Sequence, residues 1–205
     1  VRPLRVRVRR PERLCPVSAP VFDPTRVVSI ALLGAGTVGA EVARLLVESA
    51  PDLRARVGAR LELVAVAARD AGRPRLGVDP QLVTTDAMAV ATSGADVVIE
   101  LIGGIEPARS LMLAAMERGS SVVTANKALL AAHGAELYKA AAANGVDLYF
   151  EASVAGAIPL LRPLRESLAG DQVRKVLGIV NGTTNYMLTR MDEDGVTYDL
   201  SLIHI

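Results

Sequence analysis

Val27 to Leu46 reads VVSIALLGAGTVGAEVARLL, and its three parts decide the fold. Val27 to Leu33 is an apolar run broken only by Ser29, the pattern of a strand buried on both faces. Gly34, Ala35, Gly36, Thr37, Val38 and Gly39 follow as a glycine turn. The chain leaves it with Val38, Val42, Leu45 and Leu46 on one face of a helical pattern. In this strand-turn-helix setting each glycine of GxGxxG has a physical job. Gly34 makes the tight turn, Gly36 lets backbone approach a pyrophosphate, and Gly39 lets the helix pack against the strand. The N–H groups near Thr37 and Val38 have no partner within the helix and lie at the positive end of its dipole, which suits an anion. A bare GxGxxG is also met as a turn that merely packs. The flanking strand and helix make it a predicted dinucleotide site.

Composition narrows the partners. The 205 residues are 51% hydrophobic and 22% charged, the balance of a soluble globular chain with one good core and the start of a second domain. A net charge of +1 gives no reason to expect nucleic acid or an anionic membrane as partner. With 3% aromatic residues and no Trp, stacking platforms for single-stranded nucleic acid are not expected either. No apolar run approaches the roughly 20 residues that cross a bilayer. The single cysteine, Cys15, has no partner for an internal disulfide, which fits a reducing compartment and a cytoplasmic location. Residues 1–26 carry Arg2, Arg5, Arg7, Arg9, Arg10, Arg13 and Arg26 among five prolines and read as a poorly ordered leader rather than a helix or a secretory signal.

Beyond the first helix, Leu61 to Ala67 (LELVAVA) is predicted as the second parallel strand. The residues just past such a strand meet the adenosine ribose, where an acidic side chain selects NAD and an arginine accommodates the 2′-phosphate of NADP. Here Arg69 points to NADP, while Asp70 leaves NAD open. Residues 70–80 read as a loop, after which Thr84 or Thr85 is expected to cap a short helix through Val90. Asp96 to Glu100 (DVVIE) is the next buried strand, and its carboxyl end delivers Gly103 and Gly104 to the cofactor crevice. Pro107 opens a helix that Gly119 ends.

Ser121 to Thr124 forms a further strand, and Thr124, Ala125, Asn126 and Lys127 lead into another helix. A cation in a first helical turn opposes the dipole by roughly 0.3–1 kcal/mol, so Lys127 implies an anionic ligand or polarised carbonyl nearby. The chain has three lysines, Lys127, Lys139 and Lys175, against twenty arginines, which makes a specific need for this one more pointed. His133 is expected near a helix end before Gly134. From Asp147 a second organisation begins: DLYFEASVAG as strand, Pro159 to Ala169 as helix, and Val173 to Val180 as strand. That last strand empties into the polar cluster Asn181 to Asn185, suited either to a pocket wall or to turns and caps.

GAGTVG after a first strand, TANKALLA, FEASVAGAIPLLRPLRESLAGD and VLGIVNGTTNYML, in this order from about Val27 to about Gly195, resemble homoserine dehydrogenase. The resemblance implies an α/β chain: a Rossmann-type doubly wound parallel sheet over residues 27–150. After it come the start of a mixed α/β catalytic and dimerisation domain over 151–195 and an atypical tail over 196–205. It implies reversible reduction of L-aspartate 4-semialdehyde to L-homoserine with NADP or NAD, in threonine and methionine biosynthesis, by a homodimer. Gly34 to Gly39 match the family's cofactor loop, and Lys127 matches the lysine that contacts cofactor and substrate, the candidate catalytic residue. Glu151, Val154, Gly156 and Ile158 match its monovalent cation site, for sodium. The family commonly has a second glycine where this chain has Ala157. Its members also continue to a second lysine, taken as proton donor, which these residues do not include. The expectation is therefore a truncated, inactive portion of the enzyme. The alternatives are a non-catalytic NAD(P)-binding module, which has no need of TANK or NGTTN, and another amino-acid dehydrogenase on the same fold. An acyl-transferring semialdehyde enzyme would need a catalytic cysteine, which Cys15 is too far out to supply.

Overall fold

The computed structural model describes residues 25–74, 78–156, 158–178 and 181–202. The expectation for residues 1–24, and that attached to Ala157, lie outside the described residues. Six strands form one sheet, β1 (Val27–Leu33), β2 (Arg60–Ala67), β3 (Val83–Thr84), β4 (Val97–Glu100), β5 (Ser121–Thr124) and β6 (Leu148–Tyr149). They lie in the order β3-β2-β1-β4-β5-β6, and every pair is parallel. Parallel neighbours need crossover connections, and α-helices lie in every connection but β2–β3, where the described residues hold only the 3₁₀ turn Pro80–Leu82. Those helices are α1 (Thr37–Glu48), α2 (Ala50–Val57), α3 (Ala87–Ala91), α4 (Ala108–Glu117) and α5 (Lys127–Asn144).

The central position of β1 explains its largely apolar sequence. Successive side chains of a strand point to opposite faces. Ala31 and Leu33 join the larger core with Val98, Val122 and the buried faces of α4 and α5, while Leu32 meets Val66 and Ala43 of α1 on the other side. The chain runs outward from β1 to β3 and returns to β4 on β1's other flank, so strand order reverses between β1 and β4. A crevice opens at the carboxyl ends of strands at such a reversal. Register makes those ends level: Leu33 stands opposite Ala67 on one side and Glu100 on the other, and Glu100 opposite Thr124.

Several expectations are corrected. The buried residues of α1 are Gly39 and Ala43, whereas Val38 and Leu45 are exposed. Close approach of the helix at its smallest residues rotates the larger ones outward. Residues 50–57, for which no helix is predicted, form α2 with Pro51 in its first turn, where a missing N–H is harmless. The cap of α3 is Asp86, whose carboxylate accepts from the Ala89 N–H at 2.9 Å, not Thr84 or Thr85. Gly134 does not end a helix. α5 continues through it because Leu129, Leu137 and Ala141 bury one continuous face, and the helix stops at Gly145.

Past β6 the differences grow. Glu151–Ser153 is a single 3₁₀ turn rather than strand, and the predicted helix from Pro159 becomes one turn followed by a π-helical segment, Pro163–Ser167. Residues 172–178 are not a strand. A strand depends on neighbours for its hydrogen bonds, and none of the described strands lies beside this segment. Asn181 proves to be a cap: its side chain accepts from the Thr184 N–H at 2.8 Å and starts α6 (Gly182–Glu193), followed by α7 (Tyr198–Leu202).

Candidate functional site

The glycine turn joins β1 to α1 under tight constraint. Gly34 donates its N–H to the Ala67 carbonyl at 3.0 Å and has φ +99°. A Cβ there would lie 2.8 Å from the Leu101 carbonyl carbon. At Gly39 a Cβ would meet the Gly34 carbonyl oxygen at 1.9 Å, which no side chain can do. Gly36 differs from both, since its Cβ direction is empty to 4 Å. It is also the N-cap of α1, with no side chain capping the helix. The first-turn N–H groups of Thr37, Val38 and Gly39 therefore stand at an uncapped positive helix end, with Gly36 leaving open space in front of it.

That space is the mouth of a crevice of about 730 Å³, lined by Gly34, Ala35 and Gly36 on one wall and by Leu101, Ile102 and Gly103 on the facing wall. Its far end holds Arg69, Asp70 and Arg73, past the carboxyl end of β2. Arg69 is exposed, whereas the Asp70 carboxylate accepts the Gly72 N–H at 3.0 Å and shapes the loop. Sequence reasoning named Arg69 and missed Arg73, because a second arginine in a Gly/Pro/Arg loop carries no periodic signal. The residues present fit a dinucleotide: an uncapped helix start for the pyrophosphate, a glycine wall without side chains, and guanidinium groups where a ribose phosphate would lie.

Gly104 and Lys127 are not part of the crevice lining, but they are tied to it through β4 and β5. Glu100 is fully buried at the end of β4. Its Oε1 accepts the N–H groups of Ile102 at 2.8 Å and Gly103 at 2.9 Å. Its Oε2 accepts the Thr124 hydroxyl at 2.6 Å. Thr124 Oγ1 in turn accepts the Asn126 N–H at 3.0 Å. The Asn126 amide caps α5 by accepting the Leu129 N–H at 3.1 Å and donates to the Gly104 carbonyl at 2.7 Å. Lys127 is the first residue of α5 and is exposed. Among the described residues its ammonium has no hydrogen-bond or ion-pair partner, as a group awaiting an anionic or carbonyl ligand would stand. His133 is remote from this chemistry and faces Glu136 at 3.3 Å along α5.

The predicted cation residues lie on the turn after β6. Ala155 and Gly156 both have positive φ, 58° and 61°, so consecutive peptide groups reverse direction there. The Glu151 carboxylate accepts the N–H groups of Leu160 at 2.6 Å, Leu161 at 2.9 Å and Arg162 at 2.9 Å, capping the helical segment that follows. Desolvation works against its charge, but the three N–H donors outweigh it together and hold the carboxyl below its ordinary value. A carboxylate offers about four acceptor sites, and three are taken. That leaves Glu151 at most one contact for an ion, so an ion at the predicted site would have to be held mainly by backbone carbonyls. Among the described residues no group of His, Cys, Asp and Glu side chains is arranged to hold a metal ion by itself.

The strand order and the crevice define the class of molecule: a Rossmann-type dinucleotide-binding α/β domain. The family model described as "Homoserine dehydrogenase, NAD binding domain" matches residues 34–151, and that described as "Homoserine dehydrogenase" matches residues 159–203. The chain belongs to the homoserine dehydrogenase family. The second match runs past Gly195 and includes most of the segment set apart above as a tail. A homoserine dehydrogenase of Corynebacterium glutamicum is 56% identical over 190 residues, covering 90% of this chain and 43% of that protein. The crystal structure of the Thiobacillus denitrificans homoserine dehydrogenase superposes with a TM-score of 0.76 at 38% identity, covering 89% of this chain and 43% of that one. A hyperthermophilic archaeal homoserine dehydrogenase in complex with NADPH gives 0.69 at 25% identity, covering 87% and 60%. The chain thus spans about two-fifths of the length of the first two relatives, 43% in each case.

Proposed function

We propose that the protein to which these residues belong interconverts L-homoserine and L-aspartate 4-semialdehyde with NADP or NAD, as a cytoplasmic homodimer serving threonine and methionine biosynthesis. The observation that carries the reading is the glycine-walled crevice at the uncapped start of α1, in a chain of this family. The cofactor supplies the hydride acceptor, and the residues of the chain do the rest. Thr37, Val38 and Gly39 present N–H groups to its pyrophosphate, Arg69 favours NADP through the 2′-phosphate, and Gly103 and Gly104 shape the wall near the ring.

In the direction of oxidation, the homoserine carbon would give up a hydride and its hydroxyl would give its proton to a base, the role of the second lysine that the resemblance places beyond these residues. Lys127 stabilises the negative charge that builds on that oxygen, as a cation placed beside a developing alkoxide does. Glu151, Val154, Gly156 and Ile158 hold a sodium ion, chiefly by backbone carbonyls, and so brace the turn between the dinucleotide sheet and the segment that follows. The test is oxidation of L-homoserine by the whole protein, followed by NAD(P)H absorbance, in sodium chloride and again in choline chloride. Turnover that falls on Lys127→Met, and falls when sodium is replaced, is expected. No turnover at saturating homoserine and cofactor would overturn the activity. Equal rates in both salts would remove the ion.

A further inference from the structure

Glu100 is the one fully buried carboxylate among the described residues, and none of the chemistry above uses it. Burying a carboxylate is costly, and an apolar side chain of similar size at the end of a parallel strand would serve packing better. The bonds it makes show what it does instead. One oxygen gathers the N–H groups of Ile102 and Gly103, and the other takes the Thr124 hydroxyl at 2.6 Å. Gly103 and Gly104 have φ of +77° and +75°, two consecutive left-handed residues with no side chain to hold their shape. Thr124 passes the connection to the Asn126 N–H, and the Asn126 amide closes the ring on the Gly104 carbonyl.

The geometry points to Glu100 as a positioning residue. It fixes the Gly103 wall of the crevice together with the adjoining Gly104 turn and, through Thr124 and Asn126, the first turn of α5, so that Lys127 and the wall are set relative to one another by one buried carboxylate. The inference rests on the reading of the crevice as a dinucleotide site and of Lys127 as a ligand-contacting cation. Glu100 touches no substrate in this account; it acts through its neighbours. Two N–H groups and a hydroxyl lose their acceptor together if it is removed.

Three variants separate positioning from stability. Glu100→Leu removes every bond at similar volume, and Thr124→Val cuts only the link to α5. Glu100→Gln keeps an acceptor for the wall and a polar partner for Thr124. The chain has three lysines, so reductive ¹³C-dimethylation gives three side-chain resonances, with Lys127 assigned by Lys127→Arg. In the unliganded protein the Lys127 resonance is expected to move toward that of a disordered lysine in Glu100→Leu and Thr124→Val, and to return in Glu100→Gln. Lys139 and Lys175 stay still. Amide exchange at Ile102 and Gly103 rises roughly tenfold in Glu100→Leu but not in Thr124→Val, the size expected for a lost charge-assisted acceptor. NADPH affinity, read by nicotinamide fluorescence, falls by about the same factor in Glu100→Leu.

An unmoved Lys127 resonance in both variants would overturn the proposal, as would exchange rising evenly across all strands, which marks a purely structural role. Should Glu100→Leu not fold, Thr124→Val decides the α5 arm alone. NADPH failing to bind the unaltered chain would sink the dinucleotide reading, while the resonance and exchange measurements on unliganded protein would still decide whether Glu100 positions the wall and the lysine.

Discussion

Gly39 and Gly36 are three residues apart in one turn and answer opposite demands. At Gly39 the helix and the turn touch, and a methyl group would lie 1.9 Å from the Gly34 carbonyl oxygen. Gly39→Ala must therefore push α1 off the sheet, and a loss of roughly 1–3 kcal/mol in urea unfolding is expected, as for other overpacked sites. Stability unchanged within error would show that α1 does not sit where it is placed. At the other end of the crevice, Arg69→Ala is expected to weaken NADP by roughly tenfold or more, the worth of a charge-assisted bond to phosphate, while leaving NAD nearly untouched. Equal losses for the two cofactors, measured by fluorescence titration, would take Arg69 away from the 2′-phosphate. The turn at Gly34 and the close packing at Gly39 were legible in the sequence because each follows from sterics that a strand-turn-helix context imposes. Arg73 and Glu100 were not. A single charged residue at a strand end looks the same in sequence whether it is solvated or bound to the next loop.

Elements were legible where one segment's own pattern settles them and illegible where a neighbour does. β1, β2, β4 and β5 are short apolar runs between turn residues, and α4 has its proline at the start; both signals are local. Which face of α1 is buried depends on how closely Gly39 lets it approach, and the length of α5 depends on the sheet beneath Leu137 and Ala141, which outweighs the ~1 kcal/mol that Gly134 costs inside a helix. Residues 172–178 carry β-prone side chains, yet pairing, not propensity, makes a strand. β1 and β4 are also joined by a polar clasp at their amino ends. Asp96 Oδ2 accepts the Ser29 hydroxyl at 2.6 Å and its N–H at 2.7 Å. The hydroxyl first, then the backbone N–H, hold the Asp96 carboxyl below its ordinary value despite some desolvation. A carboxyl lowered by folding stabilises the fold above its unfolded value and ceases to do so as pH falls through the folded one. The unaltered chain should therefore exceed Asp96→Asn in urea midpoint at neutral pH, and the gap should close below about pH 4. A gap that persists unchanged to lower pH would contradict the ionised clasp.

At the scale of the whole molecule, the reversal of strand order between β1 and β4 puts the groups that line the crevice at one rim. The glycine turn, Arg69 and the Gly103 wall line the crevice, and the buried Glu100, Thr124 and Asn126 connect that wall to Lys127. The core divides across the sheet and supports that rim from both faces. The sequence disclosed the sheet and the location of the crevice, since strand, turn and helix alternate in an order that admits few topologies. It disclosed less of the region beyond Tyr149, whose elements depend on contacts between distant segments. We propose that the open space before Gly36 receives a dinucleotide pyrophosphate. The most direct measurement is a titration of NADPH into the unaltered chain and into Gly36→Val, following nicotinamide fluorescence, with circular dichroism on both. Because a side chain at Gly36 points into empty space, an unchanged fold is expected in the variant, with saturable binding to the unaltered chain and no binding to Gly36→Val over the same range. Equal affinity in the two proteins would contradict it.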